Sequence, residues 1–389
     1  MMMKRVLVLP LAWMILGGVV TSVTAQPAAL ALSERCPPSF ELNARGACEF
    51  HSVYEQFASA SDHGGYKAQL PVMRRSYPPK QIDLGRILFF DPILSGNGKM
   101  ACATCHQPEH GLSDGLRTGM GIDGKPLMRK TPSLWNVGFL QQLFWDGRAG
   151  SLEEQAKGPL FAAHEMANNP EALETSLSAN RVYRDLFADA FGRPSDASIR
   201  VQEVQTALAA FQTSLVSFNS RYDRYVLGDK SAMDEREVRG MNVFRGFVAR
   251  CSQCHTPPLF TNGELAAIGS GRNFAGQFDP GAAAVSDGVG MRGAFKVPTL
   301  RNIVEAGPFY QHAGQVKGLF DAVDFYNKPR GHALSQAERR QQKIHWHVHM
   351  MNAKLSKDDV ENIVAFLRSL SDTSSLPARP KVLPSEIPN

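Results

Sequence analysis

The pentapeptide Cys-x-x-Cys-His occurs twice, as Cys102-Ala103-Thr104-Cys105-His106 and as Cys251-Ser252-Gln253-Cys254-His255. Two thiols three positions apart can add to the two vinyl groups of one haem, and the adjacent imidazole then reaches the iron as proximal ligand. Each copy is therefore the attachment signature of a c-type haem. The pair predicts two covalently bound c-type haems, held by Cys102, Cys105, Cys251 and Cys254 and ligated by His106 and His255. Zinc knuckles and redox dithiols share the cysteine spacing, but neither needs a histidine directly after both pairs.

The remaining sequence favours an oxidising compartment. Lys4 and Arg5 precede an apolar run from Val6 to Val20, and small residues lead to Val23-Thr24-Ala25 before Gln26. This pattern predicts an export signal over residues 1–25, cleaved on passage to the periplasm. The run is short for a membrane span, and no later segment is apolar enough for stable membrane insertion. The other two cysteines, Cys36 and Cys48, are spaced for a disulfide that closes a small loop in an N-terminal arm, residues 26–80. Without Lys4 and Arg5 the chain carries 40 basic against 37 acidic residues. It has no basic cluster, so no nucleic acid partner is expected.

A second repeat follows each haem motif. Lys130-Thr131-Pro132-Ser133-Leu134-Trp135-Asn136 and Lys296-Val297-Pro298-Thr299-Leu300-Arg301-Asn302 share the template Lys-x-Pro-(Ser/Thr)-Leu-x-Asn. The order predicts an internal duplication, with haem domains over 81–230 and 231–372 and a Pro-rich tail over 373–389. Apolar spacing predicts helices over Val201 to Leu227, Asp234 to Arg250 and Asp358 to Leu370, the last capped by Ser356. Gly269 to Gly293 carries no periodic signal. The expected fold is all-α: two cytochrome c-like haem domains with long loops, in which haem replaces much of the apolar core.

Between the motifs lies Phe144-Trp145-Asp146-Gly147-Arg148, followed by Ser151 and Glu154, which form a capping box for a new helix. Gln155 sits on its first turns, Pro159 ends or kinks it, and Glu165 lies ten residues beyond Gln155. An amide and a carboxylate brought together could position peroxide and move a proton between its oxygens. Read alone, both are more often plain surface residues.

The chain resembles the bacterial di-haem cytochrome c peroxidase superfamily, which includes the MauG-type enzymes. The similarity runs from Gln81 to Leu370 through Phe89-Phe90-Asp91-Pro92, both haem motifs, residues 144–148, Phe295 to Asn302 and Val364-Ala365-Phe366-Leu367. The resemblance implies proximal ligation by His106 and His255 and a Trp145 that lies between the haems and passes electrons or holes. It implies a distal pocket at the N-terminal haem with Gln155, Pro159 and Glu165, the last in the acid–base position.

Two axial positions subdivide the family. Its peroxidases carry a His after the first motif, yet Gly111 to Ala163 contains none. His110 is too close to His106 to reach the opposite haem face, and His164 falls beside Glu165. The resemblance thus implies an N-terminal iron that is five-coordinate or water-bound, with Met120 or Met128 as the competing ligands. At the second haem the peroxidases place a Met and MauG-type proteins a Tyr, about fourteen residues beyond a His. Here Pro308-Phe309-Tyr310-Gln311-His312-Ala313-Gly314 leads to Tyr326, with Tyr310, Met350 and Met351 as competitors. A phenolate is a hard anionic donor and favours oxidised iron.

The MauG-like reading is a periplasmic oxidoreductase that uses hydrogen peroxide to form high-valent haem iron and oxidises a Trp or Tyr of a protein substrate. The alternatives are a peroxidase fed by a small cytochrome or cupredoxin, and a di-haem carrier without catalysis. The family also holds calcium, using an Asn where this chain has Lys130, which cannot coordinate a cation; the Ala306 and Pro308 carbonyls with water remain open as calcium ligands. Finally, His345-Trp346-His347-Val348-His349 would align three imidazoles on one face of an extended strand, a spacing suited to copper or zinc, or would lie in a loop.

Overall fold

Local sequence signals fix where the helices begin. The computed structural model describes residues 30–51, 70–327, 334–350 and 353–387; Met351 and the export signal expected at 1–25 lie outside them. Helix α1, Pro79–Phe90, starts on a proline, whose missing N–H costs nothing in a first turn. Cys102–Cys105 forms the single turn α2. Then come α3 (Leu152–Phe161), α4 (Pro170–Ala179), α5 (Arg181–Phe191), α6 (Val201–Thr213) and α7 (Arg221–Val226). The remaining helices are α8 (Glu235–Arg245), α9 (Leu319–Asp324), α10 (Gln336–Gln341) and α11 (Lys357–Arg368). The Ser356 hydroxyl accepts from the Asp359 N–H and caps α11, as its sequence predicts.

The fold is mostly helical rather than all-α. Among the described residues, three two-stranded antiparallel ribbons pair β1 (Phe40–Leu42) with β2 (Cys48–Phe50), β3 (Leu265–Ala266) with β4 (Phe295–Lys296), and β5 (Phe309–Tyr310) with β6 (Val316–Lys317). Strands of two or three residues leave no periodic trace in a sequence, so helical patterning could not reveal them. A disulfide joins Cys36 to Cys48 beside the first ribbon.

Two helix pairs build the frame, α1 against α6 and α8 against α11. Both rest on a glycine. A Cβ on Gly85 would overlap the Ala207 carbonyl and crowd Cβ of Phe211, and one on Gly240 would overlap the Asn362 carbonyl and crowd Cβ of Phe366. The second pair carries a core of Phe244, Phe260, Val360, Ile363 and Phe366. Gly240→Ala is expected to cost about 1–3 kcal/mol by overpacking, seen as a lower thermal midpoint of the haem-loaded protein.

Two helix boundaries depart from expectation. The stretch from Val201 to Leu227 is not one helix, because residues 215–219 leave the axis to meet Asn136. The Asn136 N–H donates to the Leu215 carbonyl (2.8 Å), and the Ser217 N–H to Asn136 Oδ1 (3.0 Å). Ser220 then caps α7, whose Asp223 forms a fully buried ion pair with Arg301 (2.7 Å). Helix α8 stops at Arg245, and a turn carries the chain into the second motif. Asn136 and Asn302, which close the two template copies, both have left-handed backbone (φ 61° and 54°). Asn302 Nδ2 donates to the Ser217 hydroxyl (2.9 Å), so the two copies meet at one serine.

Residues after Asp372 cross back to the first part of the chain. The Ser385 N–H donates to Asp91 (3.2 Å), Asn180 Nδ2 to the Pro384 carbonyl (3.1 Å), and Arg379 pairs with Glu109 (3.1 Å) while lying over the Phe90 ring.

Candidate functional site

Both haem motifs are held by the same backbone arrangement. His106 Nδ1 donates to the Leu112 carbonyl (2.9 Å), and His255 Nδ1 lies 3.1 Å from the carbonyls of both Phe260 and Pro298. A proton on Nδ1 leaves the Nε2 lone pair free for iron. Burial lowers the pKa of His106 and brings that of His255 down to about 4, which favours the neutral imidazole that a metal ligand must be. Matching hydroxyl bonds brace the copies: Ser113 and Thr261 donate to the Thr131 and Val297 carbonyls, Ser133 and Thr299 to those of Gly111 and Leu259 (2.6–2.7 Å).

One continuous cavity of about 750 Å³ is lined by Cys102, Cys105, His106, Cys251, Cys254 and His255. Trp145, Gln155, Pro159, Glu165 and Tyr326 line the same space. The residues fit c-type haem. None of the four motif cysteines is paired in a disulfide, and among the described residues no three His, Cys, Asp or Glu side chains group to hold a metal ion. His312 is 1 % exposed, yet neither ring nitrogen makes a hydrogen bond within the protein, Asp279 Oδ2 lying 3.8 Å from Nε2. A buried polar pair of this kind needs partners, and a haem carboxylate would supply one.

Helix α3 shapes the wall of the cavity that Gln155 and Pro159 line. Ser151 Oγ accepts from the Glu154 N–H (3.1 Å), as expected of the capping box, while the Glu154 carboxylate accepts from Gly150 (2.8 Å) rather than from Ser151. Pro159 lies inside the helix, and its carbonyl accepts from Met166 (3.1 Å) while Glu165 donates to Ala162 (2.9 Å). That reversal brings Glu165 back to the cavity wall that Gln155 lines. Burial raises the Glu165 pKa; His164, 3.9 Å away, and Arg148 partly oppose it. His164, Met120 and Met128 also border the cavity, and His110 does not.

Trp145 is tied to both halves. Its indole N–H donates to the Lys130 carbonyl (2.8 Å), and its own carbonyl accepts from the Lys296 N–H (2.7 Å). Its ring stands edge-on to His312 at 6.5 Å, and His312 stacks on Phe295 at 3.6 Å. An ion chain runs beside it: Arg148 to Asp146 (2.8 Å), Asp146 to Arg129 (2.7 Å), Arg129 to Asp279 (2.8 Å). Sequence reading missed Arg129 and Asp279. Asp279 sits in the loop without periodicity, and no local pattern pairs residues 150 positions apart.

Tyr326 lies in a 3₁₀ turn, Phe325–Asn327, fixed by Asn327 bonding to Leu355 (2.7 and 3.1 Å) and to Asp324 (2.9 Å). Burial, with Cys251 and Cys254 nearby, pushes its phenol pKa well up. Tyr310 and Met350 share the cavity wall, but the charges that Tyr310 senses are Arg368 and Glu305. Of the two readings of His345 to His349, the loop is the one the structure shows. A turn at residues 347–350 puts the His349 N–H on His347 Nδ1 (3.4 Å) and leaves His345 exposed.

Comparison with known proteins agrees with this geometry. The family model for di-haem cytochrome c peroxidase matches residues 79–231. The methylamine utilization protein MauG of Methylorubrum extorquens is 38% identical over 295 residues, which cover 75% of this chain and 78% of that protein. Cytochrome c551 peroxidase of Nitrosomonas europaea is 32% identical over 331 residues, 82% of this chain and 89% of its own. The solved diheme peroxidase BthA of Burkholderia thailandensis superposes with a TM-score of 0.67 at 27% identity, covering 91% of this chain and 98% of that one. Among the described residues no helix is long and apolar enough to cross a membrane. A peroxidase-type oxidoreductase with two c-type haems is what cavity, motifs and relatives have in common, and the chain belongs to the di-haem cytochrome c peroxidase family that includes MauG.

Proposed function

We propose that this protein uses hydrogen peroxide to oxidise a Trp or Tyr residue of a periplasmic partner protein, in the manner the MauG resemblance implies. The two modules, 81–230 and 231–372, are read as a duplication specialised for unequal work. Cys102, Cys105 and His106 hold one haem, and Cys251, Cys254, His255 and Tyr326 the other. Bound there, the haems supply peroxide-reducing chemistry and storage for the oxidising equivalents.

The protein's own groups do the rest. Gln155 orients peroxide by hydrogen bonding, and the Glu165 carboxylate takes a proton from one peroxide oxygen and returns it to the other, so that the second leaves as water. Burial suits Glu165 to both directions by raising its pKa toward the operating pH. Pro159 keeps that wall apolar. Trp145, fixed at both ends, provides the path between modules, and its clamp to Lys130 and Lys296 holds the ring in one place.

The observation that carries the MauG-like reading is Tyr326, whose phenol lies in the shared cavity within electrostatic reach of Cys251 and Cys254. The export signal expected from the sequence at 1–25 supports a periplasmic site of action. Peroxide added to the resting diferric protein is expected to change the absorption of both haems with no prior reduction. An unchanged six-coordinate, low-spin spectrum at both would overturn the proposal. The 32% identity to cytochrome c551 peroxidase favours a second reading, peroxide reduction with electrons from a small cytochrome or cupredoxin. Fast turnover with such a reduced donor, and no oxidation of any partner residue, would select it.

A further inference from the structure

Lys130 is a charged side chain in a place that could have held an external ion. Only 7 % of its surface is exposed, and its Nζ donates to the Leu116 carbonyl (3.0 Å) and the Ser113 hydroxyl (3.3 Å), with Asp114 Oδ1 at 3.7 Å. Asp114 is itself held by the Thr131 hydroxyl (2.6 Å) and the Leu116 N–H (2.9 Å). This cup of oxygens has a resident cation that belongs to the chain. The residues do not fit calcium here: a hard divalent ion needs six to eight oxygen ligands, and the ammonium already occupies the cup beside its single carboxylate.

The main chain of the same residue performs a second task. The Lys130 N–H donates to the His312 carbonyl (2.7 Å), and the Lys130 carbonyl accepts the Trp145 indole N–H (2.8 Å). Anchoring the side chain therefore fixes a backbone clamp on Trp145 and His312. We propose that Lys130 is a positioning residue for transfer between the haems, a built-in cation that sets the place of Trp145 and makes that place independent of any divalent ion. The inference rests on Trp145 acting as the path between the modules.

The test uses the di-haem protein and its K130M, K130R, W145F and K130M/W145F variants. Two quantities are read: the rate at which a small reduced donor is oxidised after peroxide is added, and the ultraviolet resonance Raman band that reports hydrogen bonding of the indole absent from W145F. K130M is expected to slow oxidation on the order of tenfold to 100-fold, as a misplaced group does, and to move the indole band to its unbonded position. In the W145F background it should slow nothing further, and K130R should keep more of the rate than K130M. Chelation of the wild type with EDTA should change neither quantity. Normal rate and band in K130M while W145F is slow would overturn the proposal, as would an equal further loss in the double variant or slowing by EDTA. A wild-type rate in W145F would instead sink the path reading on which the proposal stands. If K130M does not accumulate with its haems, EDTA treatment and K130R decide: slowing by EDTA, or loss of the indole hydrogen bond in K130R, overturns it.

Discussion

Glu165→Gln is expected to lower kcat/KM for hydrogen peroxide by about 10²- to 10⁴-fold, the range over which a positioned acid–base group acts. The amide keeps the size and the hydrogen-bonding reach of the carboxyl but can neither take nor return a proton, so haem content and cavity shape should be unaffected. The same group predicts the pH profile. Burial lifts the Glu165 pKa above its ordinary value, so the base form is lost at a higher pH than for a free glutamate as acidity increases. Because Arg148 and His164 pull that pKa down, Arg148→Leu should move the acidic limb of kcat/KM further toward neutral pH. Initial rates across pH 4 to pH 9, on the order of one profile per variant, check both statements. A Glu165→Gln protein with wild-type peroxide kinetics would remove Glu165 from the chemistry.

Tyr326→Met is expected to raise the reduction potential of the C-terminal haem by on the order of hundreds of millivolts, part of the roughly 0.8 V that axial ligands command. The sign follows from charge. Burial favours a neutral phenol at Tyr326, so its anion needs a cation beside it, and oxidised iron stabilises a phenolate far more than reduced iron does. A thioether carries no charge and favours the reduced state. Spectroelectrochemical titration of both haems gives the result directly. An unchanged potential and an unchanged low-spin spectrum would direct attention to Tyr310 or Met350 as the ligand.

The site was more legible in the sequence than the fold around it. Cys102 to His106 and Cys251 to His255 declare their chemistry because haem attachment dictates a fixed local spacing, and Ser356 and Ser151 declare helix starts because a cap acts within three residues. Tyr326 was reachable only through its distance from His312 and the family pattern. What escaped was non-local. Residues 215–219 leave the helical path to satisfy Asn136, some eighty positions away, and amphipathic spacing says nothing about such partners. The buried Arg301–Asp223 pair and the Arg129–Asp279 pair join segments 78 and 150 residues apart. The sequence offers Lys130 as a side chain that cannot coordinate a cation, whereas the oxygens that gather around its ammonium come together only in three dimensions.

The segment after Asp372 gives the molecule a timetable. Arg379 meets Glu109 across 270 residues and Ser385 meets Asp91 across 294. Contacts this distant in sequence are among the slowest to form, because the chain between must be ordered before they return any stability. Asp91 and Glu109, which bracket the first haem motif in the sequence, are therefore engaged by residues that come 294 and 270 positions later. The contacts on either side of Cys102 and Cys105 in the sequence are thus completed only once Arg379 and Ser385 are in place.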